Sequence, residues 1–301
     1  MRSLLIIRDS LRSLYSEYDY IIKPVSKFVL AFLMLLLLQG RIGYYERFSS
    51  VIVIAACSAI CMFLPYGGIS LICGLFLIAD MTEVSYAMAG FSSIMLAMIF
   101  VLYYGFRPGT GIIMAMIPLT FLLKIPFVVP VILGMNLGIA AIVPAVFGIL
   151  IWNLMKYFYI NASELSAAGA SDVIDSFADI GRGVLGDKYM LIIMFAFAVC
   201  IIVVSIISRS SMDHSWTISV IAGIAVMGIL FLAADVICGQ SVLWDLIGLI
   251  ISFAILIVYE LVIYSVDFKS TERLRFEDDD YYYFVKAVPK IKPLDEDERR
   301  D

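Results

Sequence analysis

YMLIIMFAFAVCIIVVSII, residues 189–207, decides the fold, because it runs through nineteen positions without one charged side chain. An apolar run of about 18 residues or more spans a hydrocarbon core about 30 Å thick. Inside that core the backbone must satisfy its own polar groups, so such a run is helical. Comparable stretches lie on both sides of it. Val25–Leu38, Val51–Leu64, Ile69–Ala79, Tyr86–Tyr104, Ile112–Leu123 and Val131–Leu154 precede it, and Thr217–Ile237 and Val242–Tyr264 follow. The composition agrees: of 301 residues 62% are hydrophobic and 16% charged, with a mean hydropathy of +1.00. A soluble domain is about half apolar and about a quarter charged. The expected fold is an all-α polytopic membrane protein whose main solvent is lipid.

Lysine and arginine stay on the cytoplasmic side of a membrane. Arg2, Arg8, Arg12, Lys23 and Lys27 place the start inside, and Lys269, Arg273 and Arg275 place the end inside. Two ends on one side require an even number of crossings. Ile69–Ala79, at about 16 Å as a helix, is too short to cross and reads as re-entrant, which leaves eight crossings. The broken stretch Leu123–Gly134 is the other re-entrant candidate, and nine crossings with an external tail is the alternative. The first 23 residues are not a signal peptide, since Arg8, Asp9 and Arg12 interrupt the apolar core. Leu4, Ile7, Leu11, Leu14 and Tyr18 instead recur at helical spacing, so 1–23 reads as an interfacial amphipathic helix. Lys23-Pro24 would then turn the chain into the first span.

The remaining organisation follows. Residues 24–158 form a first group of membrane helices, 159–188 an amphipathic cytoplasmic segment, 189–267 a second group and 268–301 a cytoplasmic tail. In the polar interlude Val173, Phe177, Ile180 and Val184 share one helix face, and Asp172, Asp175 and Asp179 line another. An acidic helix is repelled by anionic lipid, so its apolar face is expected against protein, with Val173, Phe177 and Ile180 as candidate partner contacts. Asn161-Ala162-Ser163 matches a glycosylation pattern by chance. In the tail, Leu274-Arg275-Phe276 and Tyr281 to Val285 flank an acidic turn, which reads as a small β-hairpin. Asp278, Asp279, Asp280, Tyr281, Tyr282, Tyr283 and Phe284 are its candidate partner-binding residues, for another protein or a second copy of the chain.

Little points to catalysis. The five cysteines, all in apolar runs, are no disulfide framework, and Cys57 and Cys61 lack further ligands to make a metal pair. His214 is the only histidine and, beside Asp213 and Trp216, reads as an interfacial turn. Gly181, Gly183 and Gly186 follow no strand and cradle no phosphate. No metal, cofactor or nucleic-acid partner is expected.

Charges at membrane depth are costly and so are functional candidates. Asp80, Glu83, Lys124, Asp235, Asp245 and Glu260 are the candidates for a substrate or ion pathway. One reading pairs Lys124 with Asp80 or Glu83 inside the bundle; the other sets all six near helix ends at headgroup depth. LPYGG (64–68) and IPFVVP (125–130) interrupt two apolar stretches, as broken helices do around transporter sites. Two functions compete: a membrane-embedded subunit or scaffold of an envelope complex, and a small-solute or ion transporter. An enzyme ranks third.

FEDDDYYYFVKAVPKI (276–291), with LKIPFVVPVILG (123–134) and DHSWTISVIAG (213–223), resembles a family of uncharacterised integral membrane proteins of Clostridia-type Firmicutes. The resemblance is close in the tail and loose elsewhere. It implies a bacterial plasma-membrane location and transfers no activity and no catalytic residue.

Overall fold

The computed structural model describes residues 18–106, 111–167, 173–210, 214–263, 272–277 and 282–287. Seven of its helices are long and apolar enough to cross a membrane. They are α1 (Asp19–Arg41), α3 (Tyr66–Val84), α4 (Tyr86–Phe106), α7 (Ile142–Ala167), α9 (Lys188–Ser208), α10 (Ser215–Cys238) and α11 (Val242–Ile263). Three shorter apolar helices lie between them: α2 (Val51–Cys61), α5 (Ile112–Leu122) and α6 (Val128–Asn136). An eleventh and different helix among the described residues, α8 (Val173–Leu185), is amphipathic rather than apolar. The chain is therefore a multi-pass membrane protein.

Contacts between chain-distant residues sort the helix termini into two ends. At the first end Lys27 Nζ, early in α1, donates to the Leu64 carbonyl at 2.9 Å. There too Gly111 approaches Gly67, Gly138 approaches the Arg209 guanidinium and Thr217 bonds Glu260. At the second end Gln39, late in α1, meets Asp80, late in α3, and Tyr189, early in α9, meets Asp235, late in α10. Following the chain, α2, α5 and α6 also run from end to end despite their length. Residue 18 and residue 263 consequently lie at the first end.

Two expectations change here. Ile69–Ala79 is not a re-entrant piece but the middle of the 19-residue α3. Gly67 and Gly68 are helical, as glycine can be in a bundle whose neighbours exclude water, and Gly68 is where Leu64 packs too closely to admit a Cβ. Nor does Lys23-Pro24 turn the chain, because α1 has already begun at Asp19 and carries Pro24 within it. Proline there removes one early hydrogen bond, which an otherwise apolar 23-residue helix tolerates. The remainder of the expected 1–23 helix lies outside the described residues.

The interlude helix α8 lies at the second end, opposite residues 18 and 263. Phe177 meets the edge of Phe91 near the start of α4, with ring centroids 6.4 Å apart, and Asn153 Nδ2 on α7 donates to the Val184 carbonyl at 2.6 Å. The interlude helix and residues 18 and 263 therefore lie at opposite ends of the described bundle. Ile180 and Val184 are buried and Phe177 is half-buried, all within this chain. As partner contacts Phe177 and Ile180 are thus already occupied; the side chain of Val173 is outside the described residues.

The bundle has two apolar cores. One gathers α1 to α4 with α8, around Leu35, Met81, Met88 and Ile99. The other gathers α6, α9, α10 and α11, around Phe127, Phe197, Ile201 and Phe231. Helices α5 and α7 contribute to both, Met114 and Leu154 to the first and Ile117 and Ile149 to the second. Beyond α11, β1 (Glu272–Glu277) pairs antiparallel with β2 (Tyr282–Ala287), with Leu274 opposite Val285 and Phe276 opposite Tyr283. The acidic residues Asp278, Asp279 and Asp280, with Tyr281, lie outside the described residues.

Candidate functional site

The second end holds a cleft at the seam between the two cores. Its centre is the break between α5 and α6. Leu123, Lys124 and Ile125 end α5 with bonds from Lys124 N to the Phe121 carbonyl and from Ile125 N to the Thr120 carbonyl, at 3.1 and 2.9 Å. Such a turn needs a left-handed residue, normally glycine, yet here it is Lys124, at φ +59°. A side chain held in that conformation costs about 1–2 kcal/mol. The turn is locked from the far side, since a Cβ on Gly248 of α11 would overlap the Lys124 carbonyl oxygen.

Around this turn two adjoining cavities, each of about 270 Å³, share Phe121, Lys124, Trp152 and Lys156. The floor is aromatic: Phe121 stacks on Trp152 at 5.1 Å and on Phe197 at 6.1 Å, and Phe127 meets Phe231 at 4.8 Å. One lobe reaches Arg41, the last residue of α1, and Ile42, Leu122, Tyr159 and Ile160. Its charged residues are Arg41, Lys124 and Lys156, all cations. The other lobe reaches Tyr189, Gln240, Ser241, Trp244 and Asp245. Lys124 Nζ lies over the Trp244 ring, 3.8 Å from its centroid. Lys156 Nζ lies over Tyr189 at 4.9 Å and pairs with Asp187 at 3.4 Å. Asp187 in turn caps α9, accepting from Tyr189 N at 2.9 Å.

Behind the second lobe stands a carboxyl pair. Asp235 is fully buried; its Oδ1 accepts from the Tyr189 hydroxyl at 3.1 Å, and its Oδ2 has no donor among the described residues. Asp245, in the first turn of α11, lines the lobe in front of it. Gly239, at φ +69°, closes the α10–α11 turn that brings the pair together.

Of the six residues singled out in the sequence, the structure brings Lys124, Asp235 and Asp245 together. Asp80 belongs elsewhere. It is fully buried and holds the loop after α1, accepting from Gln39 Nε2 at 2.8 Å and from Tyr45 N at 3.0 Å. Lys124 therefore pairs with neither Asp80 nor Glu83, which is exposed. Glu260 bonds Thr217 at the opposite end. Arg41, Lys156, Trp152, Trp244 and Tyr189 were not picked out. Lys156 carried a signal, since it is the one charge inside FGILIWNLMKYFYI, 147–160. The first core holds a small apolar cavity of about 40 Å³, lined by Met34, Cys73 and Leu119 among others, which water has no reason to fill.

No protein-family model matches this sequence, and no curated protein or solved structure matches it either.

Proposed function

We propose that this chain is a carrier-type membrane protein that takes a small charged ligand at the second-end cleft. The observation that supports this most is Lys124, a cation standing where the turn between two broken helices calls for glycine. Backbone strain of this kind is retained at sites whose side chain has work to do. Broken helices around a charged cleft are the usual surroundings of a transported solute. The test is a thermal-unfolding screen of the full chain, purified in detergent, against anionic, cationic and zwitterionic solutes and amphiphiles. A ligand at a hundred times its Kd stabilises by about 2.7 kcal/mol. A compound that raises the melting temperature of the wild type but not of Lys156→Gln supports the reading. A screen in which no charged compound does so sinks it.

A second reading, a scaffold subunit of an envelope complex, is favoured by the β1–β2 hairpin. A two-stranded hairpin is marginal alone in water, and docking on a sheet edge of a partner or a second copy would hold it. Deleting residues 276–291 is then expected to leave the bundle folded and to release co-purifying chains. Under either reading the location is a bacterial plasma membrane, as the tail resemblance implies. The basic residues that flank the spans in sequence, Arg2, Arg8, Arg12, Lys23 and Lys27 before them and Lys269, Arg273 and Arg275 after them, favour a cytoplasmic first end, although Arg41, Arg47, Lys124, Lys156, Arg182 and Lys188 lie at the second. The cleft and α8 then face outward.

A further inference from the structure

The geometry points to a phosphoryl group as the ligand of the cationic lobe, held where Arg41, Lys124 and Lys156 converge from α1, the α5–α6 turn and α7. This rests on the reading of the cleft as a ligand site and names its chemistry. Three cations face one cavity, and no carboxylate lines it. Their existing partners leave most of that charge unanswered. The Arg41 guanidinium has no ion pair or hydrogen bond among the described residues. Lys124 lies over the face of Trp244, which attracts a cation without neutralising it, and its nearest carboxyl, Asp245, belongs to the neighbouring lobe. Lys156 and Asp187 are 3.4 Å apart and each 27% exposed, a pairing that water weakens.

Three like charges around one space favour an anion that can answer all of them. A carboxylate offers one charge and two oxygens in a plane. A phosphate monoester carries between one and two charges near neutral pH and offers three oxygens on a tetrahedron. Those oxygens can meet donors arriving from three directions. Arg41 adds the two-pronged geometry that suits phosphate. The lobe is also largely apolar, walled by Ile42, Leu122 and Ile160 with Trp152 and Tyr159, and aromatic residues of that kind favour the headgroup level of a bilayer. The phosphoryl group can therefore arrive on a lipid or as a free phosphate. The neighbouring lobe, with Asp245, Gln240 and Ser241, offers acceptors for an amine or hydroxyl substituent.

The test uses the full chain in detergent and follows melting temperature on titration with dihexanoyl phosphatidic acid, inorganic phosphate and hexanoate. The same titrations are made on Arg41→Gln, Lys156→Gln and Lys124→Gly, each with its ligand-free melting temperature. Lys124→Gly suits the left-handed turn, so it removes the cation while keeping the fold. Phosphatidic acid is expected to stabilise the wild type, with each variant binding about tenfold more weakly. If inorganic phosphate competes with it, free phosphate is a ligand; if it does not, the group comes on a lipid; both outcomes support the inference. Hexanoate binding as tightly, with the same losses in the variants, overturns the phosphoryl assignment but leaves the ligand cleft standing. Phosphatidic acid binding equally to the wild type and all three variants, or binding to none, overturns the assignment. The cleft reading itself then stands or falls on the wider screen with Lys156→Gln.

Discussion

The Asp80 carboxyl at the end of α3 meets no cation among the described residues. Gln39 and the Tyr45 backbone supply neutral donors, and Ser49 Oγ donates in turn to Gln39 Oε1 at 3.1 Å. The buried group thus doubles as the anchor of the loop between α1 and α2. Asp80→Ala is expected to lower stability by about 1–3 kcal/mol by stranding two buried donors. Limited proteolysis is expected to cut within residues 43–50 of that variant, and a loop as protected as in the wild type would contradict the anchoring role. The sequence marked Asp80 and Lys124 as costly at membrane depth, and both are held by specific contacts. It also suggested that they pair, because opposite charges are the simplest remedy visible in one dimension. Neutral amides and an aromatic face serve instead, and nothing in the spacing of residues 80 and 124 reveals that. Asp235 and Asp245 were visible for the same reason as Asp80, yet their mutual approach depends on the left-handed Gly239 turn.

Among the elements, α8 was legible because a 3.6-residue period survives any context, and its apolar face is the one the bundle covers. Helix α3 was not, because Pro65-Tyr66-Gly67-Gly68 carries the marks of a break in water. The proline takes the N-cap, where its missing N–H is harmless, and the glycines allow close approach inside the bundle. The α5–α6 interruption was a real one, and its conformation rests on α11. Gly248→Ala is expected to cost about 1–3 kcal/mol, because the added methyl meets a carbonyl rather than a flexible side chain. The same change is expected to shift Lys124 and abolish any ligand-induced stabilisation. Wild-type melting behaviour, with ligand response intact, would show that the turn is not braced by α11.

At the scale of the whole molecule, the sequence reads as eight or nine crossings, and seven of the described helices are long and apolar enough to cross, with α2, α5 and α6 shorter. Eleven-residue helices such as α2 and α5 are ambiguous in sequence, since about 16 Å of helix neither crosses a standard bilayer nor excludes a locally thin path. Single cysteines at Asp179 on α8 and at His214, both exposed, are expected to react with a membrane-impermeant maleimide from opposite faces. In intact cells Asp179→Cys is expected to label at once and His214→Cys only after permeabilisation. Labelling of both from one face would overturn the arrangement.

The two cores share α5 and α7, and the cleft lies on the line where they meet. Its walls draw Ile42 and Met155 from one core and Phe231 from the other. Whatever fills it therefore works as a keystone, touching two masonry halves at once. In a calorimeter the empty protein is expected to melt over a broad range, each half loosening at its own temperature. With the cleft occupied, neither half can yield without releasing the ligand, and the two steps are expected to merge into one sharper transition.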